Sequence, residues 1–397
     1  MGVSTRERLG RVLLVVASVA VTVAGLEAAL RIARRFRPPG YEADEVARYT
    51  DYDPLLGWRM RPLSSVTYRR REYTVEVAIN RLGLRDVDRD YAAPPGVGRI
   101  LALGDSFVEG YTVALPETVG QVLEASLRRD GRRVEVLNAG TSGYSTDQEY
   151  LFYVTEGVRY SPRVVLLFFY YNDVLYNDRD HFAEQPKPLF ADHDGRLELV
   201  RRRVPLPPAA AHERHPPPPP GSALLEWLHD RFLYGAPRAG QALARLGLWE
   251  PLPRPRVPLE IRVYDRHPPP EIDAAWIKTA DLLGALAHEA AAHDARLLVV
   301  YVPNRFEVDP RAWELTRILY DVDDAAWDRG AVCRRLRRIG AVHGFEVLDL
   351  TEPLRQRVHW WRKPYFDYDG HWNALGHAVA AQALREFLER SDWLPSR

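Results

Sequence analysis

Four short segments of this 397-residue chain carry residue types that do chemistry together. Gly104-Asp105-Ser106 closes the apolar run Ile100-Leu101-Ala102-Leu103. That places a serine on a tight turn leaving the carboxyl end of a strand, where open α/β sheets present their reactive groups. Asn138-Ala139-Gly140-Thr141-Ser142-Gly143-Tyr144 follows a second strand, and Tyr170-Tyr171-Asn172-Asp173 a third. Asp369-Gly370-His371-Trp372-Asn373 lies near the C-terminus. A serine, a histidine with a carboxylate two residues away, and donors for a developing oxyanion are the parts of nucleophilic acyl transfer. Asp105 reads as structural, an Asx side chain that bonds its own backbone in the turn.

These blocks, in this order, resemble the SGNH/GDSL hydrolase family over roughly residues 99–180 and 275–392. The resemblance implies Ser106 as nucleophile, His371 as general base and Asp369 as the acid that orients it. It implies an oxyanion hole made by the backbone N–H groups of Ser106 and Gly143 and by the Asn172 side chain, with Gly140 the competitor to Gly143. The sequence departs from the family pattern twice. The glycine of the third block is replaced by Tyr170, which narrows the pocket beside Asn172. The carboxylate of the last block stands two residues before the histidine instead of three, and Tyr368 occupies the usual place. Asp367 is the rival for the orienting acid. Asn304 and Arg305, beyond a later strand, and Trp372 are candidate substrate contacts. The aromatic segment from His359 to Tyr368 is either core or a stacking platform for sugar rings.

Bland readings compete at several of these positions. His377 reads as a packing or capping residue at the head of the last helix. Asp369 with His371 is at most half a metal site, and no further ligand cluster has suitable spacing. Nothing in the chain calls for a cofactor. The single cysteine, Cys333, excludes an intrachain disulfide and reads as a core thiol. Lys+Arg and Asp+Glu both number 54, so no basic excess points to nucleic acid.

The elements that must position these blocks alternate along the chain. Apolar runs at 99–103, 134–137, 164–170, 297–302 and 345–350 read as strands of a covered parallel sheet. Helical patterns fall at 116–129, 271–293, 310–321, 324–339 and 376–390, and Ser145-Thr146-Asp147-Gln148 is a capping box. This alternation predicts a doubly wound, flavodoxin-like α/β fold with three layers, as the family resemblance also implies. Residues 38–98 read as a β-rich lead-in, 99–180 and 271–392 as the two parts of the core, and 181–270 as a Pro-rich insertion placed to act as a lid. Within the insertion, Ala223 to Leu228 reads as a short amphipathic helix, and Pro216 to Pro220 as polyproline or disorder.

Residues 1–37 form a tail and an apolar segment, Val12 to Leu30, interrupted only by Ser18, Thr22 and Glu27 and flanked by arginines on both sides. Its length suits a bilayer-spanning anchor. A cleaved signal peptide and a buried helix are the rivals, and no clear cleavage site follows. Arginines on both sides leave the orientation open; anchored members of the family usually face outside the cytoplasm. The expected protein is a membrane-anchored serine esterase acting on an O-acyl group of a carbohydrate or another small ester. An O-acyltransferase of cell-surface polysaccharide and a catalytically inactive SGNH-fold scaffold are the alternatives.

Overall fold

The computed structural model describes residues 5–35, 49–193, 196–207, 221–249, 254–391 and 393–394. The chain divides into two units, Met1–Gly40 with Ala211–Pro253, and Tyr41–Ala210 with Arg254–Arg397.

In the first unit, helix α1 (Thr5–Arg35) contains a span, Leu9–Ala33, of 25 residues and mean hydropathy 2.2, long and apolar enough to cross a membrane. Its one acidic residue there, Glu27, has a local partner. The carboxylate accepts the Ser222 hydroxyl at 2.8 Å and the Ala223 and Leu224 N–H groups at 3.0 and 2.8 Å. These N–H groups open a helix over Ala223–Asp230, where the first turn has no intrahelical acceptors of its own.

The second unit begins with two antiparallel hairpins, β1 (Thr50–Asp53) with β2 (Gly57–Met60), and β3 (Ser65–Arg69) with β4 (Thr74–Ala78). Strands β3 and β4 alternate between exposed and buried residues, so one face packs inward with Tyr49, Met60 and Ile79. Then come β5 (Gly98–Gly104), a short helix α2 (Ser106–Glu109), α3 (Val119–Arg129), β6 (Val134–Asn138), α4 (Thr146–Thr155), β7 (Val164–Phe169) and α5 (Asp173–Tyr176). The hairpins β8 (His181–Phe182)–β9 (Gln185–Pro186) and β10 (Phe190–His193)–β11 (Arg196–Leu199) follow. After the insertion come α6 (Pro270–Ala292), β12 (Arg296–Tyr301), α7 (Arg305–Val308), α8 (Pro310–Tyr320), α9 (Ala331–His343), β13 (Glu346–Asp349) and α10 (Ala374–Arg390).

The five core strands form one parallel sheet in the order β13-β12-β7-β5-β6. This is the flavodoxin-like order of a doubly wound fold. Strands β6 and β7 are buried at every position, because helices cover both faces. Leu101, Leu103, Leu167 and Val299 pack with α6 and α9 on one side. Ile100, Ala102, Leu166 and Val300 pack with α3 and α10 on the other.

Three local expectations shift. The predicted helix at 324–339 begins at Ala331, because the Asp323 carboxylate accepts the Ala325 and Ala326 N–H groups and holds a turn there. The helix expected from Pro116 begins at Val119, after a 3₁₀ turn over Leu115–Glu117. The insertion holds the hairpins β8–β9 and β10–β11, too short to leave a periodic signature. Pro216 to Pro220, like residues 38–48 of the lead-in, lie outside the described residues.

Candidate active site

Sheet register brings the first three blocks to one end of the sheet. Gly104 of β5 pairs with Phe168 of β7, Ala102 with Asn138 of β6, and Tyr301 of β12 with Phe169. The loops that begin at Asp105, Ala139, Tyr170 and Val302 therefore leave the sheet together at its carboxyl ends. Strands β5 and β7 are adjacent although β6 lies between them in sequence, so Ser106 and Asn172 flank the topological switch point, where such folds bind ligands.

Ser106 opens α2, and Asp105 caps that helix by accepting the Phe107 N–H at 2.9 Å. Ser106 Oγ lies 2.8 Å from His371 Nε2. His371 Nδ1 lies 2.7 Å from Asp369 Oδ1. The short Asp-Gly-His spacing closes because Gly370 adopts φ +84°, a left-handed conformation that glycine takes without steric cost and that folds the carboxylate back onto the ring. Asp367 is directed elsewhere. Its carboxylate pairs with Lys363 Nζ at 2.8 Å, and its carbonyl accepts from Arg305 at 2.5 Å.

The electrostatics favour a charge-stabilised imidazolium. Burial alone pulls His371 down, but the Asp369 hydrogen bond and charge, with Asp105 and Glu109 behind, hold its pKa above the ordinary 6.5. Burial pushes Asp369 up, but the contacts with His371 and Tyr73 outweigh it and keep its pKa below the ordinary value. Burial pushes Asp105 up to about 6. The Asp369 contact on Nδ1 places that nitrogen's proton on the acid side and leaves the Nε2 lone pair toward Ser106.

The second block is a turn closed by a Tyr144 N–H to Thr141 C=O bond at 3.1 Å, with Gly143 at φ +79° in its third place. A Cβ there would meet the Phe182 ring at 3.1 Å and Trp58 at 3.3 Å. The Trp58 indole N–H donates to the Ser142 carbonyl at 3.1 Å. In a trans peptide C=O and N–H point in opposite directions, so this bond fixes the Gly143 N–H away from Trp58. Buried Glu109 holds the same turn, accepting the Ser142 N–H and hydroxyl at 2.8 and 2.5 Å and the Tyr49 hydroxyl at 2.9 Å. Gly140, the rival donor, gives its N–H to Asn138 Oδ1 at 3.0 Å.

Asn172 follows β7, and Asp173 fixes its turn by accepting the Tyr170 N–H at 3.1 Å. The Asn172 carbonyl oxygen is buried without a hydrogen-bond partner among the described residues. The Tyr170 ring packs at a tilt on Phe107, centroids 4.8 Å apart, and its hydroxyl accepts a hydrogen bond from Asn304 at 3.1 Å. Asn304 also caps α7, and Arg305 binds the Phe366 and Asp367 carbonyls, so both are engaged in holding loops. Trp372 does not meet the expectation of a substrate contact. It is fully buried against Phe107 and Phe168, which leaves no face for a ligand. His377 is buried and accepts the Val119 N–H at 3.2 Å, an α3 cap. Cys333 is a buried free thiol. Among the described residues, no group of three or more His, Cys, Asp or Glu side chains is placed to hold a metal ion.

The sequence reading missed Trp58, Glu72, Tyr73 and Tyr111. Tyr73 donates to Asp369 Oδ2 at 2.6 Å, and the Tyr111 hydroxyl lies 3.2 Å from His371 Nδ1. No spacing rule links residues separated from the histidine by some 260 to 300 positions.

A family model for the GDSL-like lipase/acylhydrolase family matches residues 102–379, which takes in all four blocks. The chain belongs to this family. Like the family, it is a hydrolase acting on ester bonds. None of the curated proteins matches it. Solved structures similar to this GDSL-like chain include TesA (12% identity, covering 74% of this chain and 98% of that one, TM-score 0.38). Another is a lipase/acylhydrolase from Enterococcus faecalis (12%, 76% and 98%, TM-score 0.38). A third is a catalytic mutant of the acetylxylan esterase Axe2 from Geobacillus stearothermophilus (13%, 76% and 97%, TM-score 0.36).

Proposed function

We propose that the protein is a membrane-anchored serine esterase that removes an O-acyl group from a carbohydrate or another small ester through Ser106, His371 and Asp369. The observation that carries this reading is the unbroken contact chain from Ser106 Oγ to His371 Nε2 and from His371 Nδ1 to Asp369, at 2.8 and 2.7 Å. Ser106 Oγ attacks the ester carbonyl carbon as its proton passes to His371 Nε2. The Ser106 and Gly143 N–H groups and the Asn172 amide stabilise the oxyanion. Collapse breaks the ester C–O bond, and His371 gives its proton to the departing alcohol. Water, deprotonated by His371, then attacks the acyl-enzyme and releases the carboxylic acid. Trp360 and Trp361, in the segment that leads to His371, are exposed, and flat aromatic faces suit sugar rings.

The reading is tested with a fluorophosphonate, which must label Ser106. Labelling needs neutral His371, and the folded pKa lies above 6.5. The rate should therefore be full at high pH and fall as pH drops through a midpoint above that value. Labelling elsewhere, or a rate independent of pH between about 5 and 9, would contradict the assignment.

Asn172→Ala should lower kcat by roughly a hundred- to a thousandfold with little change in KM, since the amide acts on charge that develops only in the transition state. A loss confined to KM would remove Asn172 from the oxyanion hole. For the anchor, carbonate-washed membranes should retain the intact chain with residues 1–30 present. Recovery of a mature soluble protein beginning between about residues 24 and 32 would establish a signal peptide instead.

A further inference from the structure

We propose that the turn between β3 and β4 is a working part of this site, with Glu72 and Tyr73 as positioning residues that hold the Asp369–His371 pair against Ser106. The proposal rests on the triad reading above. The hairpin lies outside residues 102–379, the part matched by the family, yet it grips the acid loop at two levels. Glu72 Oε1 accepts the Asp367 N–H at 2.8 Å, and Oε2 accepts the Tyr368 and Asp369 N–H groups at 2.9 and 3.0 Å. Three successive amides converge on one carboxylate, an anion-binding concavity filled by a side chain of the same protein. Tyr73 donates at 2.6 Å to Asp369 Oδ2, the oxygen that His371 leaves unused. The Tyr73 ring packs on Phe366 at 5.1 Å, and the Arg71 guanidinium lies 3.6 Å over the Tyr368 ring.

The short Asp-Gly-His spacing explains the need for such a grip. Gly370 lets the carboxylate fold back, but a glycine also frees the loop to take other conformations. The hairpin removes that freedom from the N-terminal side, as Arg305 does through the Phe366 and Asp367 carbonyls. It also makes the base tunable. The Asp105 and Glu109 charges bear on His371 from the Ser106 side, where the Tyr111 hydroxyl lies 3.2 Å from Nδ1; from the hairpin Tyr73 bonds Asp369, Glu72 holds the Asp369 N–H, and the Arg70 charge bears on Tyr73. On the loop itself Asp367 is paired with Lys363 and Arg305, and His377 lies on α10. Removing the Tyr73 hydroxyl takes a donor from Asp369, whose charge then acts more fully on the imidazolium, so the acid limb of the rate profile moves up. Removing the Glu72 charge withdraws an anion, so the limb moves down.

The test compares Glu72→Gln and Tyr73→Phe in the full-length protein, with p-nitrophenyl acetate as substrate and circular dichroism to verify folding. Both changes preserve side-chain shape. Glu72→Gln should lower kcat about tenfold with KM within about twofold, because misplacement of the pair affects the chemical step. The midpoints of kcat/KM against pH should move by a few tenths of a unit, upward in Tyr73→Phe and downward in Glu72→Gln. General loosening of the fold would not produce opposite shifts. Wild-type kcat in Glu72→Gln, or midpoints that stay put or move together, would overturn the proposal. A Ser106→Ala control separates the failures. If it is inactive while the hairpin variants match wild type, only the hairpin proposal falls. If Ser106→Ala hydrolyses the ester as wild type does, the triad reading fails and the hairpin proposal falls with it.

Discussion

Ser106→Ala should lower hydrolysis of p-nitrophenyl acetate by at least about a thousandfold while leaving the fold intact. The Ser106 hydroxyl meets His371 Nε2 at 2.8 Å, and the turn itself is held by the Asp105 side chain on the Phe107 N–H. Removing Oγ therefore takes away the proposed attacking atom and leaves the helix cap in place. The Ser106 N–H, Gly143 and Asn172 persist in the variant, so the remaining activity should reflect binding and oxyanion stabilisation alone. More than about a tenth of wild-type activity in a well-folded variant would exclude Ser106 as nucleophile.

The second large effect separates two carboxylates. Asp369→Asn should lower kcat by about a thousand- to ten-thousandfold, whereas Asp367→Asn should change it by less than about threefold. The difference follows from what each group touches. Tyr73 donates to Asp369 Oδ2, so an asparagine at 369 places its carbonyl oxygen there and turns its NH₂ toward His371 Nδ1. That arrangement demands a lone pair on Nδ1, which moves the ring proton to Nε2 and removes the base from Ser106. Asp367 is half-exposed and paired with Lys363, and the backbone carbonyl that Arg305 grips survives the substitution. Equal losses in the two variants, measured as kcat at saturating ester, would contradict the assignment of the acid.

Much of the fold was legible because burial writes itself into sequence. The runs 99–103, 134–137 and 164–170 are apolar at nearly every position, as strands covered by helices on both faces must be, and the helical patterns between them follow from the same covering. The candidates Ser106, Asn172 and His371 stand out in the sequence because each sits in a short local pattern at an element's end. What was hidden is tertiary. Trp58 and Glu109 reach the Ser142 peptide from separate parts of the chain, and Glu72 and Tyr73 reach the acid loop across nearly 300 residues. Trp372 illustrates the opposite error. An aromatic beside a base reads as a substrate contact, but its neighbours Phe107 and Phe168 come from other elements and enclose it. The shortened acid spacing was visible as a departure, and its resolution lay in the intervening Gly370, whose φ only the folded chain displays. The start of α9 moved because a single carboxylate, Asp323, competes locally with helix formation.

The central claim, covalent catalysis by Ser106, is tested most directly by trapping the intermediate. The full-length protein is mixed with p-nitrophenyl acetate, quenched in acid within the first turnovers, digested and analysed by mass spectrometry. The account predicts an acetyl group on the peptide containing Ser106, carried by the serine itself and absent from Ser106→Ala. Turnover of the ester with no acetylated peptide, or with the acetyl group on another residue, would contradict it.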